Sequence, residues 1–495
     1  MTRTALGIDL GTQSVKLVFY DVEHRETAAV ASAPLGLRQG DAGEAEQQAQ
    51  WWLDALREAM LKVGQDTRRS VAAIGVSGQQ HGFVPVDAAG EVLVPVKLWC
   101  DTSTGAECDA ITAAFGGVEA CIDQVGNPIL PGYTASKVRW FRDRHPELYA
   151  RMDGILLPHD YLNYYLTGER SMEAGDASGT GFLSIRDRTW STGMLSAIDP
   201  DRDLRECLPD VRTMSANIGS LRADIANELG LPAGVPVSTG GGDNMMGAIG
   251  TGNVKPGTVT MSLGTSGTVY AYSNEPVIDP RGNIAAFCAS TGGWLPLLCT
   301  MNCTASTELM RSLLGADIAS FEAQVSAAGR GAGGVLTIPF FNGERTPNLP
   351  EAKGSVLGLD SRNASPENLL RSALEGATFA LRFGIDELSE LGIDAEQIVL
   401  TGGGANSPTW RQVVADICNT PVVMHRQEEG AAFGAALQAL AMLDDAGDEL
   451  PALVLEHLER DDSRSVEPRA AAVSFYADTY SRYQHAVDQV AALYD

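Results

Sequence analysis

Three short glycine-bounded motifs hold residues whose types and spacing could handle a phosphate chain. Asp9-Leu-Gly11-Thr12-Gln-Ser14-Val-Lys16 gathers a carboxylate, a turn glycine, a hydroxyl and a cation within one short stretch. Gly11 permits a tight hairpin whose N–H groups and Thr12 hydroxyl face phosphate oxygens. Asp9 at the strand end would hold Mg2+, directly or through water. A plain hairpin with an incidental Asp and Lys fits this motif equally well when it is taken alone. The echo Leu263-Gly264-Thr265-Ser-Gly-Thr268 shifts that balance, because two Gly-Thr hairpins, one in each half, would clamp a polyphosphate. In the third motif, Thr401-Gly402-Gly403-Gly404-Ala-Asn406, the glycines let a flat base lie against the backbone while Asn406 hydrogen-bonds it. By itself this is only a strand-to-helix turn.

A second set of residues suits a hydroxylated acceptor. Asp243 follows three glycines, 240 to 242, and precedes Asn244. A carboxylate on such an open turn could accept the proton of an attacking hydroxyl. Its bland alternative is a cap on a helix starting at Met245. Ser77-Gly-Gln79-Gln80-His81-Gly82 ends another apolar run, and Gln with His is what a polyhydroxylated ligand requires. Leu98-Trp99-Cys100-Asp101 adds an aromatic wall and a further carboxylate. Gly329-Arg-Gly331-Ala-Gly-Gly334 matches a dinucleotide fingerprint only superficially, since it follows a helical pattern and precedes a strand. That order is reversed for a dinucleotide fold, so a turn is expected.

The elements that must position these residues are an alternation of strands and helices. Apolar runs at 5–8, 71–76, 235–237, 259–261, 335–341 and 398–400 predict strands, and periodic segments at 50–63, 366–391 and 407–418 predict helices. Trp51 and Trp52 fall on the first helix and are expected in the core. The repeated strand, LGT turn and strand, with three strands running into Gly-rich turns, suggests a duplicated α/β lobe and a boundary near residues 245–255. A ligand would then sit between the lobes.

The chain has 495 residues, 36 Lys and Arg against 63 Asp and Glu, and a formal charge of −27. Nucleic acid and anionic membrane surfaces repel such a balance. No stretch reaches the eighteen or so apolar residues of a membrane span. The run before Asp9 is too short for a signal-peptide core, and eight scattered cysteines suit a reducing compartment, so a cytoplasmic location is expected.

With these residues in place the chain resembles the FGGY family of carbohydrate kinases. The resemblance runs through IDLGT (8–12), SGQQHG, LWCDT, PGYTASKVRW (131–140), LLPHDYLNYYLTGE (156–169), GGGDN, SLGTSGT, NGERTP (342–347) and TGGGAN. It also covers the C-terminal signature that starts at Gly354 and ends at Glu375. It implies two actin-like ATPase lobes with a central cleft: 1–250 for sugar and catalytic base, 251–495 for nucleotide. It implies MgATP, D-xylulose as acceptor, and possible homodimers. Asp243 becomes the base and Asp9 the metal-linked acid, while Gln80, His81, Trp99, Asp101 and Asn244 line the sugar pocket. The nucleotide side takes Gly11, Thr12, Lys16, Gly264, Thr265, Gly402, Gly403 and Asn406. Gln80 stands where the pattern usually has Met, and Cys100 where it usually has Asn. Both departures touch the sugar pocket, so another pentulose or polyol, such as L-ribulose or gluconate, stays open. From a different class, an actin-like ATP-driven switch without sugar transfer would share the hairpins.

Overall fold

The computed structural model describes residues 3–212, 214–427 and 430–494. The chain divides into two compact units, and each is discontinuous in sequence. The first comprises Met1–Val254, Ser273–Leu295 and Glu429–Leu458; the second comprises Lys255–Tyr272, Pro296–Glu428 and Glu459–Asp495.

In the first unit the core is a mixed sheet of β1 (Thr4–Leu10), β2 (Ser14–Asp21), β3 (Glu26–Pro34), β4 (Val71–Gly78), β5 (Asn217–Ser220), β6 (Pro236–Ser238) and β7 (Gly241–Gly242). The strand order is β5-β6-β4-β1-β2-β3, with β7 also beside β4. β1 and β2 form an antiparallel hairpin, and β1 runs parallel to β4. Both β1 and β4 are buried along nearly their whole length. Such continuous apolar runs are what a sheet covered on both faces demands.

One cover is the helix Gly430–Leu443, whose residues are nearly all small or apolar. A Cβ on Gly7 would lie 1.8 Å from the Ala432 carbonyl oxygen, and one on Gly75 would lie 2.0 Å from that of Ala435. The same helix meets the helix Asp243–Gly250 equally closely, since a Cβ on Gly434 would lie 1.8 Å from the Met246 carbonyl oxygen. Backbone-to-backbone packing of this kind is open only to glycine.

The second unit repeats the theme with β8 (Thr258–Leu263), β9 (Gly267–Ala271), β10 (Leu297–Thr300), β11 (Gln397–Thr401) and β12 (Val422–Val423), in the order β10-β9-β8-β11-β12. β8 and β9 form the second Gly-Thr hairpin, with Leu263 opposite Gly267. The helix Pro366–Glu390 begins with Ser365 accepting the Asn368 N–H and Pro366 in its first turn. Both are favoured start signals. Tyr476, Tyr480 and Tyr483 of the final helix Ala470–Ala491 gather around its Phe379. Residues 332–334 form a short 3-10 turn ahead of a strand, so the glycine run at 329–334 is a turn and not a dinucleotide site. Trp52 is fully buried as expected, but its neighbour Trp51 is exposed. All eight cysteines are free thiols, and no helix among the described residues is long and apolar enough to cross a membrane.

Candidate active site

Strand register assembles the carboxylates of the first unit. Asp9 on β1 and Gly241 on β7 are both partners of Ser77 on the central β4. Neighbouring strands lie about 4.8 Å apart, so Asp9 and the turn carrying Asp243 flank the carboxyl end of β4. Ligands of open α/β sheets bind at that end. Ser77 Oγ donates to Asp9 Oδ1 at 2.8 Å, and Lys16 faces Asp9 across the β1–β2 hairpin.

Asp243 is the first residue of its helix, which Gly242 precedes without a side-chain cap. It therefore does not cap a helix starting at Met245. Its Oδ1 accepts the backbone N–H of Asn244 at 2.8 Å and the Asn244 Nδ2–H at 3.1 Å. With Oδ1 engaged by two donors, Oδ2 is the basic oxygen. Burial, then the charges of Asp9 and Asp176, push the Asp243 pKa up to about 8. The turn leading to it is fixed from a distant segment: Gln438 Oε1 accepts from the Gly240 N–H at 2.8 Å and the Ser238 hydroxyl at 2.9 Å, and Gln438 Nε2 donates to the Gly240 carbonyl at 3.0 Å.

Asn244 links Asp243 to Gln80, one of the predicted sugar ligands and the neighbour in sequence of another, His81. Gln80 is buried and accepts Asn244 Nδ2–H at 2.8 Å through Oε1. His81 sits at φ 63°, in the left-handed region. That conformation costs a β-carbon-bearing residue roughly 1–2 kcal/mol, and its surroundings hold it there. The His81 carbonyl accepts from Lys137 Nζ at 3.0 Å and Thr134 Oγ1 at 3.1 Å, while its N–H is bonded to Asp176. The ring packs on Tyr133 and Phe287 and lies so close to Gly179 that a Cβ there would be 2.0 Å from Cε1. Burial lowers the Lys137 pKa to about 7, against the opposing charge of Asp101.

Trp99 and Thr12 meet directly. Trp99 Nε1–H donates to Thr12 Oγ1 at 3.0 Å, and Thr12 in turn donates to Gln79 Oε1 at 3.0 Å. Buried Gln47 completes the network by donating to the Thr12 carbonyl at 2.8 Å and accepting from Gln79 and Trp52. The Thr12 hydroxyl is thus a joint between the hairpin and the acceptor residues. Asp101 is different from its sequence reading as a pocket-lining carboxylate: it is fully buried, and both oxygens are taken. Oδ1 accepts from the Ser103 N–H and hydroxyl, and Oδ2 from the Ala45 N–H and Lys97 Nζ. Burial alone would raise its pKa, but these donors hold it below the usual range. Asp101 therefore fixes the loop that carries Trp99.

Sequence reasoning gave no role to a buried charged group behind Asp243. His159 donates toward Asp176 at 2.8 Å and approaches Asp160 at 2.9 Å. Burial works against its protonation, yet the two carboxylates raise its pKa well above the ordinary value. Glu173, likewise buried, has its pKa pushed up to about 7 by desolvation. Polar residues inside PHDYL (158–162) and TASK (134–137) were the available signal. For Gln438 the signal was a lone amide in an otherwise apolar helix.

In the second unit Thr265 is exposed at the tip of the β8–β9 hairpin. The Gly264 carbonyl accepts from Thr304 N–H and Oγ1, both at 2.9 Å, and the Thr265 carbonyl from Cys303 N–H at 3.0 Å. Gly402 adopts φ +82°, where a Cβ would lie 2.7 Å from the Leu263 carbonyl carbon, and a Cβ on Gly403 would meet nothing within 4 Å. Gly403 thus presents open backbone that a planar group can approach. Asn406 Oδ1 accepts from Arg464 at 3.2 Å. No group of three metal-ligating side chains forms among the described residues. Mg2+ needs none, because it keeps several waters and takes one or two carboxylates with substrate phosphates.

Comparison with known proteins identifies the family. Residues 4–250 match the N-terminal domain model of the FGGY family of carbohydrate kinases and residues 259–443 its C-terminal domain model. The xylulose kinase of Haemophilus influenzae is 43% identical over 485 residues, 97% of this chain and 98% of that one. That of Streptomyces coelicolor is 35% identical over 92% of this chain and 93% of its own. The crystal structure of a xyloylose kinase from Brucella ovis superposes with a TM-score of 0.91 at 31% identity, covering 99% of this chain and 100% of that one. The chain belongs to the FGGY family of carbohydrate kinases and is a phosphotransferase that uses ATP to phosphorylate an alcohol group of a sugar.

Proposed function

We propose that the acceptor is D-xylulose and that the reaction is in-line transfer of the ATP γ-phosphoryl group to its 5-hydroxyl. The observation that carries this reading is the arrangement of Asp243, whose Oδ1 is held by Asn244, the same residue that donates to Gln80 Oε1. The xylulose kinases to which the chain is similar along nearly its whole length supply the choice of ketose.

In this mechanism Gln80, His81, Trp99 and Asn244 bind and orient the ketose. Asp243 Oδ2 accepts the hydroxyl proton as the oxygen attacks the γ-phosphorus and the bond to the bridging oxygen breaks, giving D-xylulose 5-phosphate and ADP. Such a base contributes roughly 10² to 10⁴ in rate; positioning and charge stabilisation supply most of the rest. Asp9 would hold Mg2+, which when bound neutralises phosphate charge. Gly11, Thr12 and Lys16 serve the phosphates. Gly264, Thr265, Gly402, Gly403 and Asn406 serve the nucleotide. With a cation at Asp9 one of the like charges opposing ionisation of Asp243 is cancelled, which favours the basic form when substrate is present.

The test is ADP release by the purified protein with MgATP and, in turn, D-xylulose, D-ribulose, L-ribulose, gluconate, glycerol or no acceptor. Strong stimulation by D-xylulose is expected, and its loss in Asp243→Ala with ATP binding retained. Preferential stimulation by another acceptor would refute the ketose. A rate independent of acceptor would refute transfer to sugar.

A further inference from the structure

The amide of Gln80 is 4% exposed, and its two ends have different fates. Oε1 accepts Asn244 Nδ2–H at 2.8 Å, and the same Asn244 nitrogen donates to Asp243 Oδ1 at 3.1 Å. Nε2 has no hydrogen-bond partner. The orientation of both amides is dictated by chemistry. Asp243 Oδ1 already accepts the backbone N–H of Asn244, so it must face the Asn244 amide nitrogen and not its oxygen. The second hydrogen of that nitrogen then requires an acceptor, which Oε1 of Gln80 provides. Nε2 is left as a buried donor, and leaving such a group unsatisfied is unfavourable. Gly242 allows the approach, since a Cβ on it would lie 2.7 Å from Gln80 Cγ and 3.1 Å from Nε2.

We propose that Gln80 has two separable roles: its Nε2 donates a hydrogen bond to a lone-pair oxygen of the acceptor sugar, and its Oε1 positions Asn244 and through it the base Asp243. This rests on the sugar-kinase reading above and adds to it a donor-specific requirement. The site selects acceptors that carry a hydroxyl or carbonyl oxygen at that place. It discriminates against analogues lacking the oxygen, because they would leave the buried N–H unpaired.

Two near-isosteric variants separate the roles. Gln80→Met removes donor and acceptor together; Gln80→Glu keeps an oxygen for Asn244 but replaces the donor by a second oxygen. Steady-state kinetics with D-xylulose and MgATP, and calorimetric binding of D-xylulose alone, are the readouts. For Gln80→Met the expected result is about a tenfold rise in KM and in Kd for the ketose, a fall in kcat, and an unchanged KM for ATP. For Gln80→Glu it is a KM rise at least as large, with a smaller fall in kcat than in Gln80→Met. A Gln80→Met protein that binds the ketose within twofold of wild type would overturn the donor role. Equal falls in kcat for the two variants would overturn the positioning role. Failure of the wild type to bind D-xylulose at all would remove the reading beneath the inference, an outcome distinct from either.

Discussion

Asp243 shows how one carboxyl can be both well placed for chemistry and poorly placed for stability. Its pKa near 8 means that the folded protein holds a proton on this group that the unfolded chain, with an ordinary pKa of 3.8, releases. Stability tied to it is therefore full below about pH 4 and lost as pH rises toward 8, beyond which the penalty is constant. Asp243→Asn escapes that penalty while keeping an oxygen for the Asn244 donors. The expected outcome is an enzyme without transfer activity whose thermal midpoint near pH 8 exceeds that of wild type by at least about 2 °C. Thermal melts from pH 5 to 9 should show the gap widening with pH; a gap independent of pH would contradict the assignment. This residue, with Asp9, Gln80 and His81, stood out in the sequence as a candidate because each lies within a few residues of a glycine. The role of Asp101 was misjudged because a carboxylate beside Trp99 looks the same in sequence whether it faces a ligand or Lys97.

At the scale of elements, the strands, the two hairpins and the main helices were readable from periodicity and glycine punctuation. What was not readable depends on contacts between distant segments. Gln438 pins the Gly240 turn from 198 positions away, a relation no local pattern encodes. Gln438→Leu fills a similar volume and removes three hydrogen bonds to Ser238 and Gly240. Leaving the Gly240 N–H and carbonyl without these partners loosens the turn that aims Asp243. A fall in kcat of at least about tenfold is expected, with the ATP KM little changed, since a misplacement near 1 Å can cost about 10². Unaltered kcat in a folded Gln438→Leu protein would show that the turn holds its shape unaided. The left-handed His81 belongs to the same class: its restraints come from Thr134 and Lys137 on one helix and Asp176 on another.

At the scale of the molecule, the duplicated architecture suggested by the LGT echo takes the form of two α/β units, but the chain visits each unit more than once. Residues Ser273–Leu295 and Glu429–Leu458 complete the first. They bring Phe287 to the ring of His81 and the helix Gly430–Leu443 to β1 and β4. A fragment of residues 1–254 would expose the faces of β1 and β4 that this helix covers. Such a fragment is expected to lack a cooperative thermal transition and to bind a hydrophobic dye, whereas the full chain melts cooperatively. A well-folded fragment would show that the sheet closes without its late helix.

The same interleaving sets a timetable during synthesis. When residue 254 leaves the ribosome, the sheet bearing Asp9 still lacks a covering helix that ends only at Leu443, within a segment that closes at Leu458. At about 5–20 residues per second, that interval lasts on the order of 10–40 s. For that time a hydrophobic sheet face waits in the nascent chain. Slow translation of the second half would prolong its exposure to chaperones and to aggregation, with no change in any finished contact.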